Sequence, residues 1–315
     1  MGSLEIKVSA PATIANLGPG YDLVGLALEK PRDTLTVSMS KSGKDKLKIS
    51  GVGSETISPA SGKNACMVAG RAVLEATGKG TRSLEMTLSK GVPPRMGMGS
   101  SGASSAAGAF AVNLLLGKPL SIEELLRCAM EGERAACGAP HADNVAPALL
   151  GGVTVILGFD PLRVIRLDPL KESEIVIISP ELDLGDEKTK LARDVLPPAV
   201  PLSTMVRQMG AYSSLILGLM IKDPRMTGRG ISGDVIVEPA RAKLIPGFSE
   251  LKVAALEAGA YGFSISGAGP SVFALCPVEK GEDVGRVVKG RFAKEGVASK
   301  YGVYRCGEEG AKVVP

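Results

Sequence analysis

The sequence predicts an α+β protein built from two domains, and three observations predict it. Short runs of alternating apolar residues are interleaved along the chain with apolar patterns of helical period. The 315 residues, 44% of them hydrophobic, can bury more than one core. The turns Asp160-Pro161 and Asp168-Pro169 punctuate the chain close to its middle. A first domain over residues 1–160 and a second over 161–315 follow.

In the first domain Leu4–Ser9, Thr34–Met39, Lys46–Ser50, Leu84–Leu88 and Val153–Leu157 alternate as strands do. Asn64–Thr77, Ser104–Leu116 and Ser121–Gly138 carry the helical period. In the second domain Ile175–Ser179 reads as a buried strand, and Thr204–Met220 and Phe248–Ala258 as helices. Tyr261–Ser266 and Ser271–Pro277 form a strand pair, Asp283–Lys294 a helix, and Ala298–Arg305 a last strand. That order is compatible with a ferredoxin-like arrangement.

Composition narrows the function. Aromatic residues make up 3% of the chain and Trp is missing, which argues against stacking platforms for single-stranded nucleic acid. A net charge of +4 without long basic runs suits an anionic small ligand better than DNA. Five scattered cysteines without C-x-x-C spacing suggest neither disulfides nor zinc and point to a reducing cytoplasm. No segment reads as a signal peptide or a membrane span. Four asparagines and one glutamine are few, a hint of a thermophilic source.

The most informative run is Pro93-Pro94-Arg95-Met96-Gly97-Met98-Gly99-Ser100-Ser101-Gly102-Ala103-Ser104-Ser105-Ala106. Its glycines permit positive φ and close backbone approach, its serines favour helix starts, and an apolar helix follows. A helix starting there aims unpaired N–H groups and a positive dipole end at one spot, an anion site suited to a polyphosphate. It is not a Walker loop, since no Gly-Lys-Ser/Thr follows and the nearest lysine, Lys90, precedes it.

Ser121-Ile122-Glu123-Glu124 reads as a capping box. Ile122, Leu125, Leu126, Ala129 and Met130 then share one face, and Glu133 falls about 20° from Ile122 on that same face. A carboxylate on a buried stripe must be protonated, paired or bound to a metal. A buried salt bridge is one outcome; beside a phosphate loop, Mg²⁺ ligation is the better one. Further on, His141-Ala142-Asp143-Asn144 packs the chain's one histidine into a polar cluster, read as a loop before an apolar run. Ser264-Ile265-Ser266-Gly267-Ala268-Gly269-Pro270-Ser271 is a glycine turn between strands and needs no function by itself.

Together the loop, the N-terminal run Ala10–Asp22 and the glycine turn resemble, in order, the three motifs of the GHMP kinases, with Met98 where Leu is usual. The resemblance covers most of the chain. It implies a ribosomal-S5-like first domain and a ferredoxin-like second, with ATP and acceptor in the cleft between. It places Pro94, Gly97, Gly99, Ser100, Ser101, Gly102, Ala103 and Ser104 at the nucleotide, and Asn64 at the adenine, although Asn64 equally suits a helix N-cap. It makes Ser101 and Glu133 the Mg²⁺ ligands, with Ser100 close enough to be confused with Ser101.

Within the family, the run His141-Ala142-Asp143-Asn144-Val145-Ala146-Pro147 is similar to the branch that acts on homoserine. Asn144 then stands where relatives place an aspartate base, and an amide is no proton acceptor. Catalysis would rest on positioning and Mg-assisted electrostatics, which a loose phosphoryl-transfer transition state tolerates. A zwitterionic acceptor needs an acid and arginines. The resemblance assigns Arg193 and Arg241 to its carboxylate, Asp22 and His141 to its amino end, Asn16 and Asp143 to the same site, and Thr189 to the transferring phosphate. Each arginine alone reads as a solvated surface residue.

The resemblance suggests a cytoplasmic homodimer without nucleic-acid or membrane partners, although no exposed seam is legible. Two alternatives stay open: a GHMP kinase of mevalonate type, and a non-catalytic nucleotide-binding regulator.

Overall fold

The computed structural model describes residues 4–182, 185 and 188–315. In chain order it runs β1 (Glu5–Ala15), β2 (Val24–Met39), β3 (Lys46–Gly51), α1 (Ala65–Ala76), β4 (Leu84–Lys90), α2 (Ser100–Leu115), α3 (Ile122–Cys137), α4 (Ala142–Leu150), β5 (Val153–Phe159) and β6 (Leu162–Leu167). There follow β7 (Ser173–Pro180), α5 (Lys188–Asp194), α6 (Leu202–Met220), α7 (Pro224–Ile231), α8 (Val237–Ala242) and α9 (Phe248–Glu257). The chain closes with β8 (Gly262–Ile265), β9 (Val272–Pro277), α10 (Gly281–Lys294), β10 (Ser299–Arg305) and β11 (Lys312–Val313).

Two compact units result, and they are interleaved rather than divided by a single cut at residue 160. The first holds the chain up to Thr13, Gly25–Arg166 and Gly307–Pro315; the second holds Ile14–Val24 and Leu167–Cys306. A short N-terminal excursion and the C-terminal tail, both too brief to show a composition shift, make the interleaving.

The first unit carries a seven-stranded sheet ordered β11-β1-β2-β4-β3, with β5 on β2 and β6 on β5. β2 and β4 pair antiparallel from Thr34↔Ser89 to Met39↔Leu84, and β3 pairs parallel to β4 from Lys46↔Glu85 to Gly51↔Lys90. Helices α1, α2 and α3 pack on one another. α2 is made of small residues because α1 comes so close: a Cβ on Gly108 would lie 2.1 Å from the Cys66 carbonyl oxygen.

The second unit has an antiparallel sheet ordered β10-β7-β9-β8, covered by α9 and α10. Spatially that is its fourth, first, third and second strand, the expected ferredoxin-like order. Phe248, Phe263 and Phe292 fill its core, with the first two rings 5.7 Å apart at 47°.

Several elements differ from the sequence expectation. α2 starts at Ser100, not Ser104, because the serines of the loop already adopt the first helical turn. β2 begins ten residues before Thr34, the polar Glu29-Lys30-Pro31 having masked its period. The stretch after His141 is helix α4 rather than loop, although Pro147 lies inside it. β6 is a mostly exposed edge strand, and α5, α7, α8 and β11 are too short to show a period.

Candidate active site

The residues expected at the nucleotide lie in the first unit. Between β4 and α2 the chain takes positive φ three times, at Arg95 (63°), Gly97 (70°) and Gly99 (59°). The Thr13 amide donates to the Met98 carbonyl at 3.0 Å, and Met98 is buried, so an apolar side chain pins the loop. A Cβ on Gly99 would lie 1.9 Å from Thr13 Oγ1, so both conformation and space require glycine there. Gly99 is the N-cap of α2, without a side-chain cap, and the first helical bond runs from the Ala103 amide to the Gly99 carbonyl at 2.9 Å.

The amides of Ser100, Ser101 and Gly102 therefore have no acceptor among the described residues and form a small anion-binding cluster. The two serines are told apart. Ser100 donates its hydroxyl to the Val92 carbonyl at 2.9 Å and closes the loop on itself. Ser101 Oγ lies 3.2 Å from Cys137 Sγ, toward α3. Pro94 lies against Gly53 at the shoulder of the loop.

Three of the expected contacts have partners within the protein. Ala103 lies past the free amides because its own N–H is bonded. Ser104 is buried, with its hydroxyl donating to Asp33 Oδ2 at 2.7 Å. Asn64 is the N-cap of α1, as its position also allowed: Oδ1 accepts from the Cys66 amide at 3.1 Å and Nδ2 donates to the Ser58 carbonyl at 3.0 Å. At 2% exposure it is engaged at both ends.

Glu133 occupies the buried stripe of α3, 2% exposed, as the helical period requires, while Ile122 at the helix start is exposed. The capping box is formed, Ser121 and Glu124 bonding each other's backbone amides. Glu133 Oε1 lies 3.3 Å from His141 Nδ1, and Oε2 is buried without a partner. One orphaned oxygen on a buried carboxylate fits a cation. Cys137, one turn after Glu133, touches Ser101, so carboxylate and hydroxyl sit on adjoining faces of α3 and α2. Among the described residues no three His, Cys, Asp or Glu side chains gather, which suits Mg²⁺ with a single carboxylate and phosphate oxygens.

α4 brings Asn144 to the start of α2. Its Oδ1 accepts the Thr13 hydroxyl at 3.1 Å, and a Cβ on Gly102 would lie 3.0 Å from Asn144 Cβ. Asp143, 1% exposed, lies in the first turn of α4, where the helix favours negative charge.

Of the residues expected at the acceptor, Asn16, Asp22, Thr189, Arg193 and Arg241 lie in the second unit. Asn16 (φ 77°) and Asp22 (φ 56°) turn the segment before β2. Asn16 Oδ1 accepts from the Asp22 amide and Nδ2 donates to the Gly267 carbonyl, both at 3.0 Å. Asn16 is thus a brace for Asp22 rather than a ligand for an ammonium. Arg193 lies 3.3 Å from Asp22 Oδ2, both side chains partly exposed. Arg241 is buried at 4% exposure and donates to the carbonyls of Ala192 and Gly267, each at 2.9 Å. Both guanidinium carbons lie near the Tyr21 ring centroid, at 5.9 Å for Arg193 and 5.0 Å for Arg241. Thr189, four residues before Arg193 on α5, shares its face. His141, expected beside Asp22, belongs to the first unit and pairs with Glu133.

Two family descriptions match the chain, GHMP kinases N terminal domain over residues 64–152 and GHMP kinases C terminal over 215–294. Homoserine kinase of Pyrococcus furiosus is 41% identical over 307 residues, 98% of this chain and 99% of the relative. That of Thermococcus gammatolerans is 42% identical, covering 95% and 96%. The chain belongs to the GHMP kinase family. Among solved structures, homoserine kinase from Cytophaga hutchinsonii superposes with a TM-score of 0.88 at 39% identity, over 100% of this chain and 99% of that one. The mevalonate kinase of Methanococcus jannaschii shares the fold, TM-score 0.68 at 15% identity, over 96% and 98%.

In this GHMP kinase, sequence reasoning missed Tyr21, Thr13 and Asp33. Tyr21 and Thr13 stand inside the first motif, whose charged and amide groups give the clearer chemical signal. Asp33 lies in the unrecognised part of β2. Lys90 was noted only as a lysine that is not a Walker lysine.

Proposed function

We propose that this chain is a homoserine kinase, transferring the γ-phosphate of ATP to the side-chain hydroxyl of L-homoserine in threonine biosynthesis. One observation carries the acceptor assignment: a carboxylate and two guanidinium groups, Asp22, Arg193 and Arg241, gather around Tyr21 in a single unit. Such a set matches the ammonium and carboxylate of an α-amino acid. A neutral or purely anionic alcohol would bring no ammonium to Asp22, whose carboxylate is paired with Arg193. The names and near-complete coverage of the relatives support the same reading.

The division of labour follows from the side chains. The amides of Ser100, Ser101 and Gly102 hold phosphate oxygens, with Gly97 and Gly99 letting the backbone approach. Glu133 and Ser101 would hold Mg²⁺, which supplies charge neutralisation on the phosphates when bound. His141 fixes one oxygen of Glu133 and leaves the other for the cation. Asn144, its carbonyl oxygen held by Thr13, presents its amide hydrogens and takes no proton. The family resemblance assigns Thr189 to the transferring phosphate. The acceptor hydroxyl attacks in line and loses its proton late, without a strong base.

No helix among the described residues is long and apolar enough to cross a membrane. Leu202, Met205, Val206, Met209, Leu217 and Met220 leave an exposed apolar stripe on α6, a seam for a homodimer.

A coupled ADP-release assay with Mg-ATP tests the reading against L-homoserine, L-threonine, L-serine, mevalonate, galactose and shikimate. Turnover with homoserine alone establishes it. Turnover with a non-amino-acid alcohol keeps the kinase and discards the acceptor assignment. ATP binding without turnover favours a regulatory protein.

A further inference from the structure

Beneath the phosphate loop lies a buried charged network that the chemistry described so far does not use. Asp33, 0% exposed on β2, accepts from the amides of Gly91 and Val92, each at 3.0 Å, through Oδ1. Its Oδ2 accepts from the Lys90 ammonium and from the Ser104 hydroxyl at 2.7 Å. Lys90, 3% exposed, also donates to the Ser100 carbonyl at 3.1 Å and to Ser104 Oγ at 2.9 Å. Every ammonium hydrogen and both carboxylate oxygens thus have partners.

The network joins both ends of the loop. Gly91 and Val92 are where the chain leaves β4, and the Val92 carbonyl receives the Ser100 hydroxyl. Ser100 and Ser104 form the first turn of α2, whose leading amides point at the anion. We infer that the Asp33–Lys90 pair is a positioning device: it fixes the first turn of α2 against the end of β4 and so sets the aim of the Ser100, Ser101 and Gly102 amides. Lys90 acts from behind the loop, through Ser100 and Ser104, and touches no phosphate. A buried, fully bonded pair suits this task because breaking it leaves an uncompensated charge, whereas a flexible apolar contact tolerates small shifts. A displacement of tenths of an ångström at the amides is enough to weaken anion binding.

The inference rests on the nucleotide reading of the loop, and the experiment separates the two. Equilibrium binding of the non-hydrolysable analogue AMP-PNP with Mg²⁺ is measured first on the unaltered protein; no binding there overturns the nucleotide reading itself. The double variant Asp33→Leu/Lys90→Met then removes both charges at similar volume, a change that buried pairs often tolerate in stability. Its expected result is a folded protein with a lowered melting temperature, since the Gly91 and Val92 amides lose their acceptor, AMP-PNP affinity about tenfold or more weaker, and an unchanged KM for homoserine in residual turnover. The milder Ser104→Ala keeps the pair and removes its side-chain tie to α2, leaving the Lys90 bond to the Ser100 carbonyl; a loss of about threefold in AMP-PNP affinity is expected, again with the homoserine KM unmoved. Parental AMP-PNP affinity in a folded double variant overturns the inference. If the double variant does not fold, Ser104→Ala decides: weaker nucleotide binding with an intact homoserine KM supports the positioning role, and parental binding or an equal loss toward both substrates overturns it.

Discussion

The residues proposed for the nucleotide and for the acceptor are held by different physics. In the first unit the proposed ligand groups are backbone amides at the start of α2, and the charges nearby are buried: Glu133 at 2%, Asp33 at 0% and Lys90 at 3% exposure. In the second unit the proposed ligand groups are charged side chains, and Asp22 and Arg193 stay partly in water. Backbone amides form a cradle that side-chain substitution leaves in place, whereas a cluster of charged side chains can be replaced residue by residue.

The sharpest test of the first half is Glu133→Gln, which keeps the shape and removes the charge that fits the cation. Turnover should fall by about a hundredfold or more, with the helical signal and melting temperature retained. Normal Mg²⁺-dependent turnover in a folded variant would end the metal assignment.

The second half should break differently at its two arginines. Arg241→Ala is expected to raise the homoserine KM by about a hundredfold and to lower the melting temperature, since the Ala192 and Gly267 carbonyls lose a buried donor. Arg193→Ala should raise that KM by about tenfold with little effect on stability, because the side chain is exposed. The ATP KM should hold steady in both, and parallel loss toward ATP would sink the clamp.

Asn144→Ala should cut kcat by about tenfold while both limbs of the pH–rate profile stay in place, as expected for a positioning amide. Loss of a limb would mean that Asn144 supports a base.

The smallest effects concern thiols and distinguish the site from the cores. Burial pushes the Cys66 and Cys276 thiols up to about 12, so alkylation at pH 8 should leave both untouched. Their pKa is higher folded than unfolded, so the folded state retains protons that the unfolded chain has lost. The stability they contribute is present below about pH 9 and is lost progressively as pH rises toward 12. An alkaline stability curve flat across that window would contradict their burial. Cys137, half-buried beside Ser101, should react, and Mg-nucleotide should slow it. Equal rates with and without nucleotide would separate Cys137 from the loop.

Much of this was legible in the chain itself. A Gly/Ser run ahead of a helical pattern specifies an anion-binding helix start through local backbone chemistry, and the periodicity of α3 puts Glu133 on a buried face. Both depend on spacings within a few residues, which a sequence displays directly. The order of strands and helices in the second half likewise foretold its ferredoxin-like sheet.

What the tertiary structure alone decided are pairings across long sequence separations: Asp22 with Arg193, Arg241 with Gly267, Asp33 with Lys90 and Ser104, Asn144 with Thr13. It also gave Asn64, Ser104 and Asn16 hydrogen-bond partners within the protein. A polar side chain reads the same in sequence whether it meets a ligand or a backbone amide. Only the packing of distant segments settles which partner it finds, because burial requires each polar atom to be bonded to whatever the fold brings within reach.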